Sequence, residues 1–101
     1  MRFVARYTNA AEQDIAEIFA WYEEQSGGLG TEFLRQLKIL EAKLERYPEI
    51  NAVEYGQIRR AFTAKFPYSL HFQIEGEIVH IYGCLHHKRD PKHWPEPPVS
   101  S

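Results

Sequence analysis

Two adjacent imidazoles, His86 and His87, stand at the end of an apolar run and lead into Lys88, Arg89 and, further on, Trp94. An earlier run carries Arg59 and Arg60 side by side, and Lys65 lies in the link that follows it. An imidazole can serve as acid, base or metal ligand. A guanidinium grips phosphate or carboxylate with two prongs. If these two groups share one surface, they suit the binding of phosphate or carboxylate on an anionic partner. The plainer reading is a set of solvated strand ends.

Several other chemistries find no support. His86, His87 and His93 do not fall at the spacing of an established zinc site, and Cys84 is the lone thiol. No metal and no cofactor is therefore implied. There is no Gly-rich phosphate loop ahead of a helix, and no serine in a nucleophile-elbow context. Asp90 is isolated from other acids, so it more naturally shapes the turn before Pro91 than donates protons. His80 falls mid-strand and reads as a half-buried or core histidine. His71 falls on the polar side of its strand and reads as solvated.

Three runs with β character must position the cluster: residues 58–62, 68–74 and 78–84. In the second, Tyr68, Leu70, Phe72 and Ile74 alternate with Ser69, His71 and Gln73. That is the pattern of a strand with one apolar face. Glu75-Gly76-Glu77 then forms a hairpin turn. In the third run both alternating sets are largely apolar, so it should be central and covered on both sides. Arg59 and Arg60 are neighbours on a strand and must point to opposite faces.

Support for these strands comes from upstream. Residues 2–7 alternate, with Phe3, Ala5 and Tyr7 on one side, and predict another strand. Asn9, with Glu12 three residues on, reads as a capping box opening a helix over 10–25. Its apolar stripe is Ala11, Ile15, Ile18, Phe19 and Tyr22, with Trp21 half exposed at the side. Gly27 and Gly28 stop it. A second helix to about residue 46 buries Phe33, Leu37, Leu40, Leu44 and Tyr47, with Leu34 and Ile39 widening the face. The short link makes the pair an antiparallel hairpin. Residues 48–56 show no period and read as a loop. The expected fold is α+β in the order β-α-α-β-β-β: a twisted, mostly antiparallel sheet with a helical hairpin on one face.

A chain of 101 residues, 44% hydrophobic, supports one domain with one core. That domain should span residues 1–94, with a flexible Pro/Ser-rich tail over 95–101. The net charge of −2 hides an asymmetry. Residues 9–47 hold 8 acids against 4 Lys/Arg, whereas residues 56–94 hold 6 Lys/Arg against 3 acids. Two faces of opposite charge follow, and the basic one could approach an anion. A pI near 6.2 argues against broad non-specific nucleic-acid binding. No signal peptide or membrane span is visible. With the single cysteine, that makes a cytoplasmic location the expectation.

The chain resembles the RelE/ParE superfamily of toxins from bacterial type II toxin–antitoxin systems, and most closely its ParE-like, plasmid-stabilisation branch. The markers are the stretch YTNAAEQDIAEI at 7–18, Tyr47-Pro48-Glu49, Ile58-Arg59-Arg60, Lys65-Phe66-Pro67-Tyr68, and LHHKRDPKHW at 85–94. The resemblance implies a growth-inhibiting toxin that forms a hetero-oligomer with a cognate antitoxin and acts on DNA gyrase. Under it, Arg59, Arg60, Lys65, Lys88 and Trp94 would contact the target, and Trp21 and Tyr22 the antitoxin. The RelE-like alternative is a ribosome-dependent, metal-independent mRNA endonuclease using His86, His87 and Arg89. Against that alternative, Ser69 follows Tyr68 where RelE-like enzymes carry arginine. Trp94 likewise stands where they place a tyrosine. A further alternative is a non-toxic, protein-binding relic.

Overall fold

A computed structural model describes residues 2–88. The chain begins with strand β1 (Val4–Tyr7), then helices α1 (Asn9–Gln25) and α2 (Leu29–Leu44). Strands β2 (Val53–Tyr55), β3 (Ile58–Phe62), β4 (Tyr68–Glu75) and β5 (Ile78–His86) follow. They form one sheet in the order β1-β5-β4-β3-β2. Only the β1–β5 pair is parallel. The expected α+β architecture is thus observed. The Asp90-Pro91 turn and the 95–101 tail lie outside the described residues.

Thr8, not Asn9, caps α1. Its backbone is extended, and its Oγ1 accepts the Ala11 amide at 3.1 Å. Both residue types suit the position, and Asn9 has already turned helical. Gly28 makes the turn into α2 with φ +92°, a left-handed conformation that glycine adopts without steric penalty. It has no side chain to cap α2, and Glu23 does so from the preceding helix. The Glu23 carboxylate accepts amides from Gly28, Gly30 and Thr31.

The buried stripe of α2 is Phe33, Leu37, Leu40 and Leu44, together with Gln36. Leu34 and Ile39 do not join it, and Tyr47, beyond the helix end, is 62% exposed. One stripe saturates the contact with the sheet, so apolar residues off its axis face outward. Residues 48–56 are more ordered than a bare loop. They form a 3-10 turn (Pro48–Ile50) and the edge strand β2, which pairs with β3.

The core lies between the hairpin and the sheet, where Phe33, Leu44, Leu70, Phe72, Val79 and Ile81 meet. Gly76, at φ +59°, opens the two-residue turn between Glu75 and Ile78, as a hairpin of this kind requires. The β4–β5 register shifts between His71 and Phe72, which leaves Tyr82 as the extra residue of a bulge. The bulge lets Ile81 and Cys84 face the same core although they are three residues apart.

His71 departs from its expected solvation, being only 1% exposed. Polar side chains line that face of β4, yet Ser69 and Gln73 are buried there too. Residues on both faces of β4 are buried, and the His71 ring packs edge-on to Tyr82 at 6.4 Å. His80 is half-buried as expected, with Nε2 3.2 Å from Glu75 Oε1.

Candidate functional site: an aromatic and imidazole rim

At the end of β5 the chain emerges into solvent at His86, His87 and Lys88. The His87 amide donates to Pro67 O at 3.0 Å, which ties this end to the β3–β4 link. His86 and His87 have ring centroids 5.1 Å apart. On one side the His86 ring meets Tyr68 at 5.4 Å. On the other, the His87 ring meets Phe62 at 6.3 Å, and the Arg60 guanidinium sits 5.0 Å from the Phe62 ring. Cation and imidazole from distant parts of the sequence therefore share one rim, with Phe62 between them.

The two arginines are used differently. Arg60 Nε donates to Glu54 Oε1 at 2.9 Å, and its Nη2 bonds the same oxygen. Arg59 points to the other face, as adjacent strand residues must. Its Nη1 donates to Asn51 O at 2.6 Å and Glu49 O at 3.3 Å, so it holds the segment that precedes β2. Arg59 is thus a structural clamp set apart from the rim. Arg89, His93 and Trp94 lie outside the described residues.

Lys65 adopts φ +72°, unusual for a residue with a Cβ. Its Nζ lies 3.6 Å from Glu32 Oε2. Next to it, Phe66 enters an aromatic cluster with Tyr22 at 5.0 Å and Phe33 at 5.4 Å. The Lys-Phe-Pro-Tyr stretch therefore pins the rim to the helical hairpin. Tyr22 belongs to this cluster and is only partly accessible. Burial raises its phenol pKa, and nearby Tyr68 adds to the effect. Trp21, edge-on to Tyr22 at 5.1 Å, is 54% exposed.

Burial also pushes the Cys84 thiol up to about 12, with Asp14 adding to the effect. A thiol held protonated in this way is a poor nucleophile. Among the described residues, no three His, Cys, Asp or Glu side chains are placed to hold a metal. Ser69, where an arginine would extend the rim's charge, is buried.

The hairpin offers a second feature. A groove of about 500 Å³ runs between α1 and α2, floored by Ile15, Phe19 and Leu37, with Glu12, Lys38 and Glu41 among its polar lining. The Tyr7 hydroxyl donates to Glu41 Oε1 at 2.7 Å beside it. Sequence reasoning ranks this groove second, reading each stripe first as core and only then as an exposed groove for a partner helix. It missed Phe62, whose only signal is an aromatic residue alternating with Arg60 along one strand.

A five-stranded sheet under a helical hairpin, with a basic and imidazole rim at the end of the last strand, defines a RelE/ParE-type toxin domain. The model of the ParE toxin of type II toxin-antitoxin systems, parDE, matches residues 5–91, and the chain belongs to that family. A chain from the chromosomal ParDE TA system of P. aeruginosa shares the fold, with a TM-score of 0.75 at 16% identity. The match covers 84% of this chain and 96% of that one. No curated relative matches. Among the described residues no helix is long and apolar enough to cross a membrane.

Proposed function

We propose that this ParE-family toxin arrests growth by binding DNA gyrase, without cleaving RNA, and that a ParD-type antitoxin neutralises it. One observation supports the non-hydrolytic reading: among the described residues, both strand arginines are already engaged. Arg60 is bound to Glu54, and Arg59 to backbone carbonyls. Metal-independent phosphodiester cleavage needs a cation free to stabilise the phosphorane-like transition state. A rim of rings with a paired guanidinium and the exposed Lys88 suits protein contact better. The apolar groove between α1 and α2 suits the nonpolar side of an antitoxin helix.

The test is a supercoiling assay with purified toxin and gyrase. Inhibition, or trapped DNA breaks, is expected, and relief on adding the antitoxin. Unchanged supercoiling at high toxin excess would remove the gyrase reading.

The exposed His86–His87 pair favours a second reading, ribosome-dependent mRNA cleavage, with an imidazole as acid or base. Primer extension on translated messages discriminates the two. Cuts lost on His86→Ala or His87→Ala would establish cleavage, and intact messages in arrested cells would exclude it.

A further inference from the structure

The two outer edges of the sheet are finished differently. Beside β1, the end of the hairpin takes up the backbone. There the Phe3 amide donates to Glu45 O at 2.8 Å, and the Ala5 amide to Glu45 Oε2 at 3.1 Å. At the opposite edge lies β2, and all three of its residues are exposed. No described strand pairs with its outer side. In a strand, every second residue turns its amide and carbonyl away from a given neighbour. An open edge of this kind accepts another strand.

The side chains around β2 are largely apolar as well. Tyr47, Ile50, Val53 and Tyr55 are 62%, 79%, 48% and 54% exposed. Together they present roughly 500 Å² of mainly apolar surface, in the range where such patches mark contact sites. The segment is also held in place. Arg59 Nη1 donates to Glu49 O at 3.3 Å and to Asn51 O at 2.6 Å, the carbonyls on either side of Ile50. A guanidinium that fixes an exposed isoleucine beside the sheet edge pre-organises that surface for a partner.

Charge narrows what the partner is. Residues 47–62 carry Glu49 and Glu54 against Arg59 and Arg60, so the stretch is neutral in a chain of net charge −2. A strongly acidic or basic partner finds no counter-charge there. A second copy of the chain does fit. In a two-fold contact each patch meets itself, so a net charge would repel its own copy. Antiparallel pairing of β2 about Glu54 sets Val53 against Tyr55 of the second copy, twice, and a β-branched residue opposite an aromatic one is a favourable pair. The same pairing brings two Glu54 carboxylates together, and like charges directly opposite destabilise a sheet. Each carboxylate, however, is held by its own Arg60, through Nε at 2.9 Å and through Nη2. The two ion pairs therefore meet with no net charge. The apolar patch alone supplies more than half of the roughly 800 Å² that each partner buries in a standard interface.

We propose that two copies of this chain associate across a two-fold axis at β2, with their strands antiparallel and Tyr47 and Ile50 packed beside them. Because Arg60 also sits over the Phe62 ring, the aromatic and imidazole rims of the two copies then flank one interface. Such a dimer requires neither the gyrase reading nor the antitoxin reading.

Sedimentation of the purified full chain over a range of concentrations tests it. The mass is expected to rise from 11.9 kDa toward twice that value, with a midpoint on the order of 10 μM. Ile50→Lys and Val53→Lys place a charge at exposed positions, so both should fold, and circular dichroism checks that they do. Each should weaken the dimer about tenfold or more, since lysine on an edge strand blocks pairing. A mixture reads the register. Val53→Lys and Tyr55→Glu should each be monomeric alone and should form a mixed dimer together, because lysine then meets glutamate across the axis. Amide exchange over residues 53–55 should slow as the concentration rises. A chain that stays monomeric with a native spectrum overturns the proposal, and so does a dimer that Ile50→Lys and Val53→Lys leave intact. Protection of residues 53–55 only on adding antitoxin would give this edge to the antitoxin and overturn it as well.

Discussion

The Glu23 carboxylate of α1 receives the Gly30 amide of α2 at 2.8 Å, and the same carboxylate also accepts the amides of Gly28 and Thr31. One acid thus caps the helix that follows its own. The arrangement exists because Gly28 has no side chain to do so. The amides, that of Gly28 foremost, hold the Glu23 pKa below the ordinary carboxylate range.

Glu23→Ala should lower the urea midpoint at neutral pH. The sign with pH follows from linkage. A group whose folded pKa is depressed contributes stability above its unfolded pKa and loses it as pH falls through the folded value. The gap between wild type and variant should therefore narrow on acidification. Parallel urea curves from pH 7 down to pH 3 check this, and a gap that widens would contradict the capping role.

Gly30 also sets how closely the helices approach. A Cβ there would lie 2.7 Å from both Phe19 O and Glu23 Cγ. The Phe19 contact is to backbone, which cannot swing aside. Gly30→Ala should destabilise by roughly 1–3 kcal/mol, the usual penalty of overpacking, despite the better helix propensity of alanine. Thermal denaturation measures it, and an unchanged or raised midpoint would show that the hairpin can spread.

Cys84 provides a probe of the opposite sign. Burial holds its thiol at about 12, so the folded chain keeps its proton where the unfolded chain loses it. Stability linked to Cys84 is full below about pH 9 and declines as pH rises from there toward 12. Native protein at pH 8 should react with a thiol reagent far more slowly than urea-unfolded protein. Equal rates would place the thiol in contact with solvent.

How far the fold could be read from the chain is clearest at β4. Alternation in Tyr68–Glu75 identifies the strand and its core face. It reports the polarity of side chains, though, and not whether anything covers them, so His71 reads as solvated when it is buried. β2 is opaque for another reason. Three residues are too few to show a period, and the segment before it is held by Arg59 through backbone carbonyls. That same contact hides the division of labour at the rim. The sequence shows two adjacent arginines on opposite faces but not which of them finds a partner on each. His86 and His87 are legible because an apolar run ends just before them.

Phe62 tests whether that rim meets the target. It is 50% exposed and lies outside the core, yet it stands between the Arg60 guanidinium and the His87 ring. Exposed aromatic residues beside an arginine are typical anchors of protein contacts. Phe62→Ser should keep the fold at a cost of about 1–2 kcal/mol, for the half-buried ring and its contact with Arg60. Growth inhibition should weaken clearly, so that a higher inducer dose is needed for the same loss of colonies. Glu54→Gln, which loosens Arg60 without removing it, should spare folding and alter inhibition in graded fashion. Plating at stepped inducer concentrations reads both variants. Killing by Phe62→Ser at the wild-type dose would move the target-binding surface away from this rim.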